Sequence, residues 1–498
     1  MNRRKLLSTL AGWLAIPALA VAQTDGPRFT SQPSPPRIGV PAPTHLPEPI
    51  APVAKDVPLD ARPKQPAPAA EIVVPKKVDP KPAVSVEELP YDPRPYNQRW
   101  MGRPDSVSIE DGAQPATNFS FAPDPNALVW VVPEWILWKT SGMHVPTLVT
   151  SAPFGAAQSD AGVIGTGSTS VAFGNESQLN EFRSGVRVRL GFWFDPTQTL
   201  GLEGSMFYLG QKSRAAEFTN SGNPTTLARP FMSQTTALRS SEVIAFAQQN
   251  ADGSISSAIS GGIVARTTTD FWGADINLRR YLFETESLRV DGLFGFRYQR
   301  LRDTLETNSN STINVANTLG DLAAGTTLQV QDMFHTTTNF YGGQFGVAAD
   351  WRRDRWSVGL NGKLAIGMVQ DEVRINGLTT ITPSGGTSVV TVGGLMTQAS
   401  NIGRHRTSRF SVIPEAGLNV GFQLTSNVRL FAGYSVLYWT NVVRAGDQID
   451  MTVNTTQVQR STTTTATLSG DGRPGYGAAF REAGFWAHGG SLGLEFRW

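Results

Sequence analysis

From Leu128 onward, apolar and polar residues alternate in stretches of about ten to sixteen residues. Val186, Val188, Leu190, Phe192 and Phe194 fall on one side of an extended ribbon, with Arg187, Arg189 and Gly191 on the other. Val290, Phe294, Phe296 and Tyr298 oppose Arg289, Asp291, Gly295 and Arg297, and Val358, Leu360, Leu364, Ile366 and Met368 oppose Asn361 and Lys363. Val412, Leu418, Val420 and Phe422 oppose Glu415, Asn419 and Gln423; at the end, Leu492, Leu494, Phe496 and Trp498 oppose Gly493, Glu495 and Arg497. The pattern predicts ten strands, over 128–139, 182–194, 200–209, 268–283, 288–302, 337–351, 356–369, 409–424, 428–439 and 485–498. The first is ambiguous: Trp130, Trp135 and Trp138 fall on both faces, and Pro133 demands a bulge or kink.

Each strand reaches the ~9–11 residues that a tilted membrane strand requires. A half-buried strand of a soluble sandwich would look the same, so the connections decide. Asp195-Pro196-Thr197-Gln198, Glu284-Thr285-Glu286-Ser287, Arg352-Arg353-Asp354-Arg355 and Thr425-Ser426-Asn427 are short, and they alternate with long segments at 140–181, 210–267, 303–336, 370–408 and 440–484. Soluble domains rarely carry many structureless loops above ~12–15 residues, whereas outer-membrane barrels have short periplasmic turns and long external loops. The expected fold is all-β: an antiparallel up-and-down transmembrane β-barrel of about ten strands (eight to twelve) over 127–498.

The first residues read as an export signal. Arg3, Arg4 and Lys5 precede an apolar run that ends in Ala20-Val21-Ala22, so cleavage is expected after residue 22. A membrane anchor is the alternative, but the run is short and Pro17 interrupts it. No later apolar run approaches ~20 residues, which among membrane proteins leaves the barrel. Residues 23–126 are crowded with proline, joined by Lys64, Lys76, Lys77 and Lys81. Proline's fixed φ and missing donor predict a disordered, polyproline-like periplasmic linker, either a plain spacer or a tether to the cell wall. Absent cysteine excludes disulfides, thiolate metal sites and a lipid anchor on cysteine; a formal charge of +2 without a basic stripe argues against nucleic acid.

Several strings carry a resemblance. Ile136-Leu137-Trp138-Lys139 with Gly142-Met143-His144-Val145-Pro146, Gly191-Phe192-Trp193-Phe194-Asp195, Phe271-Trp272-Gly273-Ala274-Asp275, Phe340-Tyr341-Gly342-Gly343-Gln344, and Tyr438-Trp439-Thr440-Asn441-Val442-Val443-Arg444 with Gly446-Asp447-Gln448-Ile449-Asp450 stand out. On these, residues 128–498 resemble the planctomycete-type outer-membrane β-barrel family, whose function is unassigned. The resemblance implies a fold and a bacterial outer-membrane location, and brings no catalytic residues.

The registers place Arg187, Arg189, Arg279, Arg289, Arg297, Lys363, Arg429 and Arg497 in the lumen, against Glu203, Asp275, Asp291, Asp350, Glu415 and Glu495. Lone buried charges are costly, so these should pair. A ten-stranded barrel is little wider than an eight-stranded one, which side chains just fill, so an occluded lumen is expected. A narrow path preferring anions is the alternative. Trp351, Trp356 and Trp498 mark one interface girdle, and Trp272, Trp439 and Trp486 the other; ordinary core tryptophan is the bland reading.

Asp332 with His335, or Asp371 with His405, could form a hydrolytic dyad at the rim. Solvated loop bases contain the same residues, and no catalytic assignment follows. Gly446-Asp447-Gln448-Ile449-Asp450 and Ser469-Gly470-Asp471-Gly472 match no complete calcium loop, and turn chemistry accounts for them. No metal or cofactor is expected. The expected partners are outer-membrane lipid, the barrel-assembly machinery through the C-terminal strand, and the cell wall through the linker. Long Ser/Thr/Asn/Gly-rich loops suit surface contact, so a structural or surface-interaction role leads, ahead of channel and hydrolase.

Overall fold

The computed structural model describes residues 127–498 other than 168, 221–224, 463–473 and 475–479. The expected signal, the linker and Ser469–Gly472 lie outside the described residues. Ten strands form a ring: β1 (Val129–Thr140), β2 (Phe182–Trp193), β3 (Leu200–Asn220), β4 (Ile255–Glu284), β5 (Leu288–Ile313), β6 (Thr327–Arg353), β7 (Trp356–Thr382), β8 (Gly403–Gln423), β9 (Val428–Val443) and β10 (Glu482–Arg497). Each pairs antiparallel with the next, and β10 pairs with β1, so the ladder returns on itself. A closed ladder satisfies the backbone without an exposed edge, which lipid demands.

The short turns stand where the sequence places them. Asp195 holds the first, accepting the backbone N–H groups of Thr199 and Leu200, each at 3.0 Å. Pro133 needs no bulge: β1 keeps one register against both neighbours, and the proline ring points outward. The face left ambiguous in β1 resolves with Trp130, Val132, Glu134, Ile136 and Trp138 inward and Trp135 and Leu137 outward.

The long connections are not structureless. β4 to β7 run 30, 26, 27 and 27 residues, far beyond a membrane crossing, and continue upward as β-sheet. The expected strands stop short because the solvent changes. In lower β7 the outward residues Leu360, Ile366 and Met368 are apolar and exposed. Higher up, the outward positions become Gln370, Glu372 and Arg374, while the inward Val369, Val373 and Ile375 are completely buried. Polar-in becomes polar-out where lipid gives way to water.

That upper part has its own apolar core inside the ring. Leu305, Phe334, Val373 and Ile375 of the walls pack with Met143 and Leu148, with Val243 and Phe246 of the hairpin Thr226–Ser233/Arg239–Gln249, and with Leu395 and Ile449. Asn441, at φ 58°, sits at a register shift within β9, between Trp439 and Val442, and beyond that strand Ala445 and Ile449 are buried in the mouth. A buried pair, Arg229–Asp332 at 2.6 Å, fastens the plug, and Asp332 also accepts the N–H groups of Met396 and Thr397.

Candidate functional site

The lower lumen is a charged chamber. Glu134 of β1 takes Arg187 at 2.6 Å and Arg189 at 2.7 Å from β2. Arg279 spans Asp291 (2.8 Å), Glu203 (3.2 Å) and Asp350 (3.4 Å), and Arg289 holds Asp291 at 3.0 Å. Lys363 meets Asp275 at 3.2 Å, Arg297 pairs with Glu415, and Arg429 and Arg497 share Glu495. The structure thus brings all the named lumen charges into ion pairs. Each side chain is one that the two-residue period turns inward, and each pair bridges different strands or neighbouring inward positions. Arg289 and Arg279 also lie over the Trp193 ring, at 4.7 and 5.5 Å. A cavity of about 100 Å³ remains among these charges, beneath Trp138 and Phe207.

Above the chamber an aromatic septum crosses the lumen. Phe271 stacks edge-on against Phe207 at 5.0 Å and Phe485 at 4.8 Å, and Trp439 lies 6.2 Å from Phe340. Ile136, Leu301, Val369 and Leu437 complete a fully buried layer. The indole N–H groups of Trp138 and Trp439 are buried and find no acceptor among the described residues. Gly273 makes room for the packing, since a Cβ there would come within 2.7 Å of the Phe207 ring. Directly above, Arg444 pairs with Asp303 and donates to the carbonyls of Ser141 and Gly142, while Arg183 reaches Thr140 at 2.7 Å.

Trp439 therefore does not belong to the outer girdle: it points inward and is completely buried. It follows Tyr438, which takes the lipid-facing position, and odd residues of β9 face the lumen. Trp272, beside Tyr298, and Trp486, beside His488, do face outward near the upper boundary, and Trp351, Trp356 and Trp498 stand exposed near the turns. The septum, Glu134, Asp303 and Arg444 escaped the sequence reading. Glu134 was hidden by the ambiguity of β1, whose Arg187 and Arg189 partners were already visible.

The rim pairs are not brought together as dyads. Asp332 points into the plug, and His335 points out from the other face of β6, bonded to Thr304 at 2.8 Å and Thr337 at 3.3 Å. Burial, and then the nearby Arg302 and Arg374, push the His335 imidazole below its ordinary range. Asp371 takes the Thr338 hydroxyl at 2.6 Å and Arg409 at 3.8 Å, while His405 Nε2 faces the Asn401 carbonyl. No cluster of three metal-ligating side chains occurs among the described residues.

A closed ring with a lipid-facing apolar belt, aromatic girdles and a polar lower lumen defines a bacterial outer-membrane β-barrel. Residues 130–498 match the family described as "Putative beta barrel porin-7 (BBP7)", and the chain belongs to that family. Among solved structures, it is similar to the outer-membrane protease OmpT of Escherichia coli at 9% identity and TM-score 0.34, covering 75% of this chain and 97% of that one. It is also similar to a Pseudomonas aeruginosa FadL homologue at 9% identity and TM-score 0.22, covering 75% and 90% respectively. A third is the P. putida toluene transporter TodX, at 10% identity and TM-score 0.12, covering 76% and 90%. Similarity this low transfers no activity. No curated protein matches the chain.

Proposed function

We propose that this protein is a sealed barrel with a structural or surface-interaction role, in which the ring carries a β-sheet cap outside the membrane and conducts nothing. The observation that supports this reading is the septum: Phe207, Phe271, Phe340, Trp439 and Phe485 fill the cross-section between the charged chamber and the outer core. An ion would have to shed its hydration within that apolar layer, at a cost of many kcal/mol. The upper core repeats the barrier. The chamber then serves stability, holding the ring by cross-strand ion pairs.

The same reading makes the protein a non-enzyme, since the acidic and imidazole groups at the rim are engaged in packing and capping contacts. It assigns outer-membrane lipid to the belt, assembly through β10, and a reach toward the cell wall to the proline-rich segment. Planar-bilayer recording of the refolded full chain is the test. We expect a flat baseline under applied voltage. Reproducible conductance steps would overturn the proposal and favour the family's porin name, with anion preference expected from the arginine-rich chamber.

A further inference from the structure

One wall of the barrel carries a cationic lattice just above its lipid belt. Across β4 to β8 the register sets Asp270, Arg302, Thr337, Glu372 and Arg406 in one outward row. The row above holds His335, Arg374 and Arg404; the row below holds Arg300, directly beside Trp272. The next row down is the apolar boundary itself, Tyr298, Tyr341, Met368 and Phe410. Outward rows are two residues apart, so a tilted strand gains about 5 Å of height per row. The lattice thus occupies the headgroup depth of the outer leaflet.

Its charge is unbalanced. Five arginines face two carboxylates, and one of these, Glu372, is already shared by Arg404 at 2.5 Å, Arg406 at 2.9 Å and Arg374. Those three arginines stay about half exposed or more, with donors to spare. The Nε groups of Arg300 and Arg302 are buried and find no acceptor among the described residues. An exposed surplus of guanidinium groups calls for an anion with several acceptor oxygens, and guanidinium forks match phosphate. The belt below supplies the apolar half of an amphiphile's site.

We infer that this wall binds a phosphate-bearing lipid of the outer leaflet, its phosphate held between Arg302 and the Glu372-anchored arginines and its acyl chains lying on Tyr298, Tyr341 and Phe410. Cationic side chains clustered at a membrane surface are attracted to anionic headgroups. The inference holds whether or not the lumen conducts.

The test uses the full chain in zwitterionic detergent, with native mass spectrometry counting retained phosphatidate against phosphatidylcholine. The wild type should prefer phosphatidate by at least about tenfold, and R302Q/R406Q should lose about that factor. R214Q, an exposed arginine on β3, should retain it. Gel mobility before boiling checks that each variant is folded. Should R302Q/R406Q not fold, R374Q/R404Q, both well exposed, should weaken retention severalfold. Equal retention of the two lipids by the wild type would overturn the inference, as would unchanged retention by the folded lattice variants. Displacement of phosphatidate by equimolar inorganic phosphate would also overturn it, marking a site for free anions.

Discussion

Replacing Glu134 with glutamine removes one charge from a completely buried carboxylate and strands two guanidiniums. In a water-filled lumen the change would cost at most about 1 kcal/mol, as for exposed pairs. Where the pair is shielded from bulk water, as the fully buried Glu134 carboxylate is, breaking it costs about 3–5 kcal/mol, because the remaining charge loses its partner without gaining full solvation. Two terms soften the loss. Arg187 keeps its place over Trp138 and Arg189 over Phe431, both at 5.7 Å, and Glu203 and Glu495 act on Arg189 from further off. We therefore expect about 3 kcal/mol. Urea unfolding of the refolded protein in vesicles, followed by tryptophan emission, reads it directly. E134M/R187M/R189M should recover most of the loss, since an apolar replacement of a whole buried ion cluster is often neutral. An E134Q protein within about 0.5 kcal/mol of the wild type would refute a ring held by buried ion pairs.

Leu364→Arg, on the lipid face of β7 midway up the membrane segment, should cost about 2–4 kcal/mol in the same titration. Trp439→Ala should cost about 3–5 kcal/mol because it empties the septum, whereas Trp486→Ala, at the lipid boundary, should cost clearly less; equal losses would place Trp439 back on the girdle. For Glu372, partial burial works to raise the carboxyl from 4.5, but hydrogen bonds from Arg404, Arg406 and Arg374 outweigh it and hold the group at about 2. Its contribution, about 1 kcal/mol for so exposed a cluster, is therefore present above pH 4.5 and lost as pH falls toward 2. Glu372→Gln should flatten that acid limb of the stability profile.

The lower barrel was legible because one solvent acts along each face. Lipid outside and charge inside give a two-residue period that runs unbroken from Phe182 to Phe194 or from Val358 to Met368. Ring closure, the short turns and the inward charges follow from it. The upper half was not legible for the converse reason. Beyond Met368 the hydrophobic phase slips to Val369, Val373 and Ile375, so a reader tracking one phase sees the strand end.

The septum did leave a signal. Phe207-Tyr208, Phe271-Trp272, Phe340-Tyr341, Tyr438-Trp439 and Phe485-Trp486 are adjacent aromatic pairs on five strands. Neighbours on a strand face opposite ways, so each doublet must send one ring to the lipid boundary and the other into the lumen. Counting only the outward member finds a girdle and misses the partition. Which member goes inward depends on the register of each strand, so Trp439 turns into the lumen while Trp272 faces the lipid boundary.

The uninterrupted strands also have a mechanical consequence. Some fifteen residues of β5 lie beyond Tyr298, so the wall rises roughly 35 Å above the lipid boundary without a hinge. Anything presented at the tips stands on a stiff pedestal, at a fixed height and orientation. An antibody or a neighbouring cell would meet it at a constant distance from the bilayer, and shortening β4 to β7 in matched pairs of residues would lower that platform stepwise while leaving the transmembrane ring intact.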